Sequence, residues 1–508
     1  MRLGHHLSKL LKHLGKTLTV LSIPAIASLA TMPVSSQHKA IPTLEDIDCP
    51  IRFQISYKGE SMRCGYLHVP ENRAQADSPT IKVFFAVLAP YSRLEEPDPI
   101  VTLAGGPGQA MSDLIALDLN ALAGLHQRRA IVIIDQRGVG LSEPVLQVNG
   151  AKPEEIIAGL KEMNIDLKAY NTTQSALDLK DLREELGYKQ WNILGTSYGT
   201  KLALETMRVD PEGIRSVVLN STVAPMHNTF SEDVAKNHKL NYDRLFSDCA
   251  TDPECAEAFP NLRQTFLEIA ETIGDDGITI TYKDDSQTEQ SVKLNLKTVI
   301  RFFHSEFEFG SVSLIPLQIS TLAAVIQGEE SINNPVLGGL LNMAISEEED
   351  NDQELSGSIN LGLLMTINCY EEWSEITNIE QFQQSLEPYK SFTVIDSVIE
   401  DFQEVCEGLN LGRVNPEFSQ PVESEIPTLL LSGFYDTQTP PLWTDQAVAS
   451  LKNGQAIYFN AIGHDVVDNL WCSHAIVEDF IENPRGRLSS PCSERTKTTF
   501  VTTLEDLK

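Results

Sequence analysis

A series of short apolar runs, each ending at a turn signal, is the feature that most limits how this chain can fold. Residues 99–103 lead into the turn Gly105-Gly106-Pro107-Gly108, and residues 130–134 lead into Asp135-Gln136-Arg137-Gly138. Apolar runs of this length without polar alternation are typical of strands that are buried on both faces of a parallel sheet. The sequence therefore predicts an α/β protein built around a mostly parallel sheet.

Predicted helices alternate with these strands. Residues 173–186 carry apolar positions at helical spacing and stop before Gly187, where a helix C-cap is expected. This rhythm is typical of βαβ units and predicts a doubly wound sheet. Further strands are predicted at residues 63–70, 81–89, 191–194, 214–220, 427–433 and 455–459, and further helices at 200–209 and 442–451.

The alternation stops after the strand at 214–220 and returns only at residue 427. Between them the sequence is mostly helical, acidic and loop-like. We therefore expect residues 45–225 and 421–508 to form one core, interrupted by a helical cap over residues 226–420.

The N-terminal segment has the composition of a secretory signal peptide. Its basic residues precede a short apolar run, Leu18–Ala30, with no acidic residue before it. We expect residues 1–30, or at most 1–36, to be removed, leaving a periplasmic or secreted protein; a fraying amphipathic helix is the alternative. The run is too short to span a bilayer comfortably, and no cysteine follows it closely, so we expect no membrane anchor.

The cysteines agree with export, and the net charge excludes one class of partner. The eight cysteines all follow the signal-like segment, and no CxxC pair or Cys/His cluster suggests zinc. The net charge of −32 argues against nucleic acid, whose phosphates need lysine and arginine. Many connectivities are possible, and pairing of sequence neighbours would give Cys49–Cys64, Cys249–Cys255, Cys369–Cys406 and Cys472–Cys492.

A candidate nucleophile lies in Gly195-Thr196-Ser197-Tyr198-Gly199, between the strand at 191–194 and the helix at 200–209. A serine on such a tight strand-to-helix turn stands above the edge of the sheet, and glycines leave room for the turn. Ser197 is therefore the predicted nucleophile. The alternative is a glycine-rich turn without chemistry.

A serine nucleophile needs a base, and the base needs an acid that orients it. In this strand–turn–helix context the chain order is Ser, acid, His. Asp436 and His464 have that order, and each follows a predicted strand, where α/β sheets place ligands. The rivals are Asp135, expected to hold its own turn, and His474, expected to pack within a terminal helix.

Two backbone N–H groups are expected to bind the oxyanion of a tetrahedral intermediate. One is that of Tyr198, directly after the serine, and the other is that of Gly106 in the glycine-rich loop. Pro107 has no N–H to donate. The loop could also cradle a phosphate, but it lacks the lysine and hydroxyl residue of a P-loop.

The segments AGGPG, IIDQRGVGLSEP, ILGTSYGTKLALETM and SGFYDTQTP together resemble exported tripeptidyl aminopeptidases, which are relatives of proline iminopeptidases. The resemblance covers nearly the whole mature chain, including a TAP-like C-terminal segment. It implies the α/β-hydrolase fold and the serine-dependent release of residues or tripeptides from peptide N-termini, with no cofactor or metal. Ser197 would be the nucleophile, Asp436 the acid and His464 the base. Ala104 departs from the family, because proline iminopeptidases have a histidine there.

The resemblance also implies an acidic group in the cap that holds the α-ammonium of the peptide substrate. The segment TINCYEE points to Glu371, with Glu372 as second choice. The alternative is two solvent-exposed glutamates on a helix. Two other functions stay open: an esterase or lipase-like enzyme with the same three residues, and a non-catalytic binding protein that kept the fold.

Overall fold

A computed structural model of the chain describes residues 42–50, 61–148, 150, 152–274, 276–284, 286–309, 311–348, 359–490, 492–493 and 497–507. The predicted signal peptide, residues 1–30 or 1–36, lies outside the described residues.

Nine of the strands form one large sheet. Its order is β1-β2-β3-β5-β4-β6-β7-β10-β11. The six strands from β5 to β11 run parallel, and β1, β2 and β3 extend one edge as an antiparallel meander. The strands are β1 (Thr43–Ile47), β2 (Met62–Pro70), β3 (Thr80–Leu88), β4 (Ile100–Leu103), β5 (Ile131–Ile134), β6 (Trp191–Thr196), β7 (Ile214–Asn220), β8 (Ile278–Lys283), β9 (Glu289–Leu294), β10 (Thr428–Gly433) and β11 (Gly454–Phe459).

Helices cover both faces of this sheet. They are α1 (Met111–Ala121), α2 (Pro153–Glu162), α3 (Thr172–Glu185), α4 (Tyr198–Val209), α5 (Glu232–Thr251), α6 (Pro253–Ala258), α7 (Leu262–Ile273), α8 (Leu296–Glu308), α9 (Ile315–Ile326), α10 (Gly338–Glu348), α11 (Leu361–Glu371), α12 (Ile379–Leu386), α13 (Ile395–Leu409), α14 (Pro441–Ala449), α15 (Val466–Asn469) and α16 (Cys472–Glu482). Across the described ranges, no helix has the length and apolarity needed to cross a bilayer.

The parallel strands are apolar along their whole length because both of their faces are covered. On β7, Val217 and Leu219 pack into one apolar cluster, whereas Val218 packs into the cluster on the opposite face. On β10, Leu430 packs with the first cluster and Leu429 with the second. Successive side chains of a strand point to opposite faces. The predicted doubly wound, mostly parallel sheet is confirmed.

The segment between β7 and β10 holds α5 to α13 and an antiparallel hairpin of β8 and β9. The hairpin was not predicted within this mostly helical segment. Its signal was present in the sequence: Ile278, Ile280 and Tyr282 alternate with polar residues, and this period of two is typical of a strand with one buried face.

The inserted segment packs in two different ways. Its first part, α5 to α10, builds its own aromatic-rich cluster around Tyr242 and Phe266. Its last part joins the main core instead, because Leu363 of α11 and Val405 of α13 pack in the same cluster as β6 and β7. Helix α11 therefore lies against the core domain.

The four disulfides join the cysteine pairs that proximity along the chain predicted. They are Cys49–Cys64, Cys249–Cys255, Cys369–Cys406 and Cys472–Cys492. The third bond links the end of α11 to α13.

Candidate active site

Ser197 lies on a strained turn between β6 and α4. Its backbone has φ 56° and ψ −124°, a conformation that residues with a side chain rarely adopt. A Cβ at Gly195 would lie 2.4 Å from the carbonyl oxygen of Gly199, and a Cβ at Gly199 would lie 2.2 Å from that of Leu103. The turn therefore needs both glycines, and the half-buried Ser197 side chain lies at the edge of the sheet.

Asp436 and His464 form a buried pair at the same edge. They follow β10 and β11, and the His464 Nδ1 atom lies 3.0 and 3.1 Å from the two carboxylate oxygens of Asp436. The Asp436 Oδ1 atom accepts the backbone N–H groups of Gln438 and Thr439 at 2.9 and 2.7 Å. The Thr439 hydroxyl donates to Oδ2 at 2.6 Å. These bonds fix the carboxylate in an orientation that faces the imidazole.

The surroundings favour a negative charge on Asp436 and a positive charge on His464. Burial tends to lower the pKa of His464, but the Asp436 carboxylate and the nearby charges of Glu308 and Asp465 outweigh it and raise that pKa to about 9. Burial tends to raise the pKa of Asp436, but His464 and the bonds from Thr439 hold it below its usual value. The site therefore stabilises an imidazolium at residue 464.

Asn220, at the end of β7, ties the serine turn to the loop of the histidine. Its carbonyl oxygen accepts the N–H of Ser197 at 2.9 Å, and its Nδ2 donates to Oδ1 of Asp465 at 2.5 Å. The Ser221 hydroxyl accepts the N–H of Asp465 at 2.9 Å. In the sequence, Asn220 is only the last residue of the strand predicted at 214–220, so this linking role was not predicted.

The two rival residues have structural roles. The Asp135 carboxylate accepts the N–H groups of Ser112 and Leu141, both at 2.8 Å, so it holds its own turn as predicted. His474 lies in α16, and its Nε2 atom is 3.0 Å from the carbonyl oxygen of Val467. Neither residue belongs to the Asp436–His464 pair.

The two predicted oxyanion donors lie in segments next to Ser197. Tyr198 begins α4, and Gly106 lies in the loop after β4. A Cβ at Gly105 would lie 3.1 Å from the Cβ of Ser197, so this loop borders the serine. Among the described residues, the structure gives no protein acceptor for the N–H of Gly106 or Tyr198. The oxyanion role of both stays a prediction.

Glu371 is buried and bonded to helix α3. Its two carboxylate oxygens accept the N–H and the hydroxyl of Thr172 at 2.6 and 2.8 Å. Burial raises its pKa to about 7, although Lys201 and Thr172 act in the opposite direction. The Thr172 hydroxyl also lies 2.7 Å from the phenolic oxygen of Tyr198. Glu371 is therefore connected through Thr172 to the residue that follows the serine.

Glu372 is also buried and has internal partners. It pairs with Lys201 of α4 at 2.6 Å, and it accepts the N–H of Thr229 at 3.0 Å and the Thr229 hydroxyl. The alternative of two exposed glutamates is wrong. A substrate ammonium would have to share oxygens that already have protein donors, and this binding role stays a prediction for Glu371 and Glu372.

Helix α5 of the inserted segment supports the loop of Asp436. The side-chain amides of Asn241 and Asn237 donate to the carbonyls of Tyr435 and Asp436, at 3.1 and 2.7 Å. The Nε2 atom of His238 lies 3.1 Å from the carbonyl of the next residue. Three successive carbonyls of the acid loop are thus bonded to one helix. Nothing in the sequence connects these two segments, so this support was not predicted.

Comparison with known proteins agrees with this fold. Residues 98–266 match the family model of the α/β hydrolase fold, and residues 392–489 match that of TAP-like proteins. The chain is an α/β hydrolase, and it is similar to TAP-like proteins and proline iminopeptidases. The predicted fold class and family resemblance are thereby confirmed.

Curated relatives of this α/β hydrolase match it over part of their length. The putative hydrolase YuaR of Escherichia coli (strain K12) is 24% identical over 219 residues, which cover 38% of this chain and 43% of YuaR. A proline iminopeptidase of Lactobacillus acidophilus is 33% identical over 133 residues, 26% of this chain and 38% of the relative. The chain thus spans less than half the length of these relatives. The solved proline iminopeptidase of Mycobacterium smegmatis is 15% identical with a TM-score of 0.37, covering 83% of this chain and 98% of that one.

Proposed function

We propose that the chain is an exported serine peptidase of the aminopeptidase type. The observation that carries this proposal is the buried Asp436–His464 pair, at the sheet edge where Ser197 lies on its strained turn. Parallel strands bring all three residues to one edge, because each follows the carboxyl end of its strand. A buried acid–histidine pair beside a serine supports acyl transfer by that serine.

In the proposed reaction, the Ser197 hydroxyl attacks the carbonyl carbon of the scissile amide while His464 takes its proton. Asp436 holds the imidazole and stabilises the imidazolium that forms. The N–H groups of Gly106 and Tyr198 bind the oxyanion of the tetrahedral intermediate. The intermediate expels the amine, which takes the proton from His464, and leaves an acyl group on Ser197. Water, deprotonated by His464, then releases the acyl group.

An amide with a free N-terminus is the substrate class that the similar proteins favour. The chain matches TAP-like proteins over residues 392–489, and several of its relatives are named proline iminopeptidases. A carboxylate close to the serine turn supports the same choice, since a cationic substrate terminus favours acidic surroundings. Glu371 remains our first candidate for that contact and Glu372 our second.

Export is supported by two separate features. The N-terminal segment has the pattern of a signal peptide, and all eight cysteines are paired in disulfides, which persist in oxidising compartments. We propose a periplasmic or secreted protein that acts on peptides and not on nucleic acid.

A substrate panel tests the proposed activity. Fluorogenic amides of single amino acids and of tripeptides are compared with the same compounds acetylated at the N-terminus, and with short acyl esters. We expect turnover of amides with a free N-terminus, a large loss on acetylation, and no turnover by Ser197→Ala. Turnover of esters alone would overturn the peptidase assignment and favour an esterase. If the folded protein turns over none of these substrates and its serine does not react with a fluorophosphonate, it is a binding protein.

A further inference from the structure

The last turn of α8 lies against both loops that carry the charged pair. A Cβ at Gly463, which precedes His464, would lie 1.9 Å from the carbonyl oxygen of Phe307 and 2.9 Å from the Cα of Glu308. On the other loop, the hydroxyl of Thr437, which follows Asp436, donates to the Glu308 carboxylate. One turn of the inserted segment therefore contacts the neighbours of both residues.

Among the residues that the structure describes, no cationic side chain is bonded to the Glu308 carboxylate. It is partly buried, and its hydrogen-bond partners are Thr437 and the side chain of Gln438. Burial raises the pKa of Glu308, while Thr437 and the charge of His464 act against this. A partly buried carboxylate is stabilised by a positive charge nearby. For Glu308, the imidazolium of His464 can provide that charge.

The charges that act on His464 come from three loops or helices. They are the bonded carboxylate of Asp436, the Glu308 carboxylate from α8, and Asp465, the next residue along the chain. Behind them, Asp468 is hydrogen-bonded to Asp465. The three charged groups with the largest effect on the imidazole are thus all negative.

We propose that Glu308 is a positioning residue for the Asp436–His464 pair. It holds the loop of Asp436 through Thr437, and it supplies a second negative charge toward the imidazole. This inference rests on the proposed function, because it concerns the base of that reaction. It adds to the site a residue from the inserted segment, more than a hundred positions from either partner in the chain.

Two consequences follow from an extra charge beside a general base. The negative charge stabilises the imidazolium that forms in the transition state, so the limiting rate, reached at high pH where His464 is neutral, is higher. The same charge also favours the protonated base in the free enzyme, which raises the pH at which half of the enzyme is active. Below that pH the higher limiting rate and the smaller fraction of neutral His464 cancel in the observed rate.

The test is the pH dependence of the second-order rate of fluorophosphonate labelling, since labelling needs an activated serine and no particular substrate class. Glu308→Gln keeps the size and hydrogen-bond acceptor of the side chain and removes its charge. We expect the midpoint to fall by roughly one pH unit and the limiting rate at high pH to fall by about tenfold, since one unit corresponds to a factor of ten. Between pH 6 and 7 the rate changes by less than about threefold.

Two further variants separate charge from loop anchoring. Thr437→Val removes the hydrogen bond and keeps the charge, so we expect a lower rate at every pH with an unchanged midpoint. Glu306→Gln is the matched control, because Glu306 lies on the same turn of α8 but bonds to Gln318 and Ser311; we expect the wild-type profile.

The outcomes distinguish this inference from the proposed function. If the wild-type protein is not labelled at any pH, the serine hydrolase assignment fails. In the other case the wild-type protein is labelled, while Glu308→Gln shows the wild-type midpoint or a labelling rate lower by the same factor at every pH. Either result overturns only the role of Glu308. Thermal unfolding of each variant confirms that the compared proteins are folded.

Discussion

Replacing Asp436 by asparagine is the perturbation whose effect the structure predicts in most detail. Asparagine can keep Oδ1 as the acceptor of the N–H groups of Gln438 and Thr439, which lie 2.9 and 2.7 Å from that atom. Its amide nitrogen then faces the Nδ1 atom of His464 and donates to it. The proton of the neutral imidazole is thereby placed on Nε2, and a protonated Nε2 cannot accept the proton of Ser197.

The size of the effect follows from the charge and the tautomer together. The pKa of His464 is raised from 6.5 to about 9 although burial opposes the rise, so the surrounding carboxylates together favour the imidazolium by more than about 3 kcal/mol. Glu308 and Asp465 share in this contribution, so the loss of the Asp436 charge removes only part of it. With the wrong tautomer added, we expect the limiting rate to fall by about 10⁴-fold, as in serine triads generally.

The assay is kcat/KM for the best substrate of the panel, measured from pH 6 to 10 so that the high-pH limit is reached. The rate of the wild-type protein should rise with pH, with a midpoint near the raised pKa of His464, because the neutral imidazole is the base. The matched control is Asp445→Asn, because Asp445 is an exposed residue of α14 that accepts a hydrogen bond from the hydroxyl of Tyr458. This variant should leave the profile unchanged. A limiting rate for Asp436→Asn within tenfold of wild type would refute the reasoning.

Three further variants test the supports of the site. Asn237→Ala leaves the buried carbonyl of residue 436 without its donor, so we expect about 1–3 kcal/mol lower stability by urea unfolding and a lower kcat; a wild-type kcat would contradict the loop's dependence on α5. Replacing Cys369 and Cys406 by serine opens a bond of sequence separation 37, which should lower the free energy of unfolding by about 4 kcal/mol; an unchanged urea midpoint would refute this. Glu372→Gln leaves Lys201 buried without its counter-ion, and we expect a loss of about 3–5 kcal/mol; a thermal unfolding temperature equal to that of wild type would show that water replaces the ion pair.

The features that could be predicted from the sequence are those that neighbouring residues determine. The strand at 214–220 has the predicted bounds, because an apolar run between a proline-containing turn and a polar residue leaves little freedom. The turn of Ser197 was predictable since its two glycines are required within five residues. The disulfides joined sequence neighbours, so proximity along the chain was sufficient to pair them.

The features that could not be predicted depend on contacts between distant segments. Asn237 and Glu308 belong to helices of the inserted segment, and only the packing of that segment brings them to the loops of Asp436 and His464. Glu371 was singled out by resemblance, but its partner Thr172 lies 199 positions away, so its burial could not be foreseen. The hairpin of β8 and β9 was missed for a different reason, since its alternating pattern was present but stood within a largely helical segment.

The measurement that most directly tests the central claim is the mass-spectrometric mapping of the residue that a fluorophosphonate modifies in the folded protein. We expect a single adduct on the peptide that contains Ser197, no adduct on Ser197→Ala, and strongly slowed formation of the adduct on His464→Ala. An adduct on another serine, or no adduct on folded wild-type protein, would contradict the assignment of Ser197 as the nucleophile.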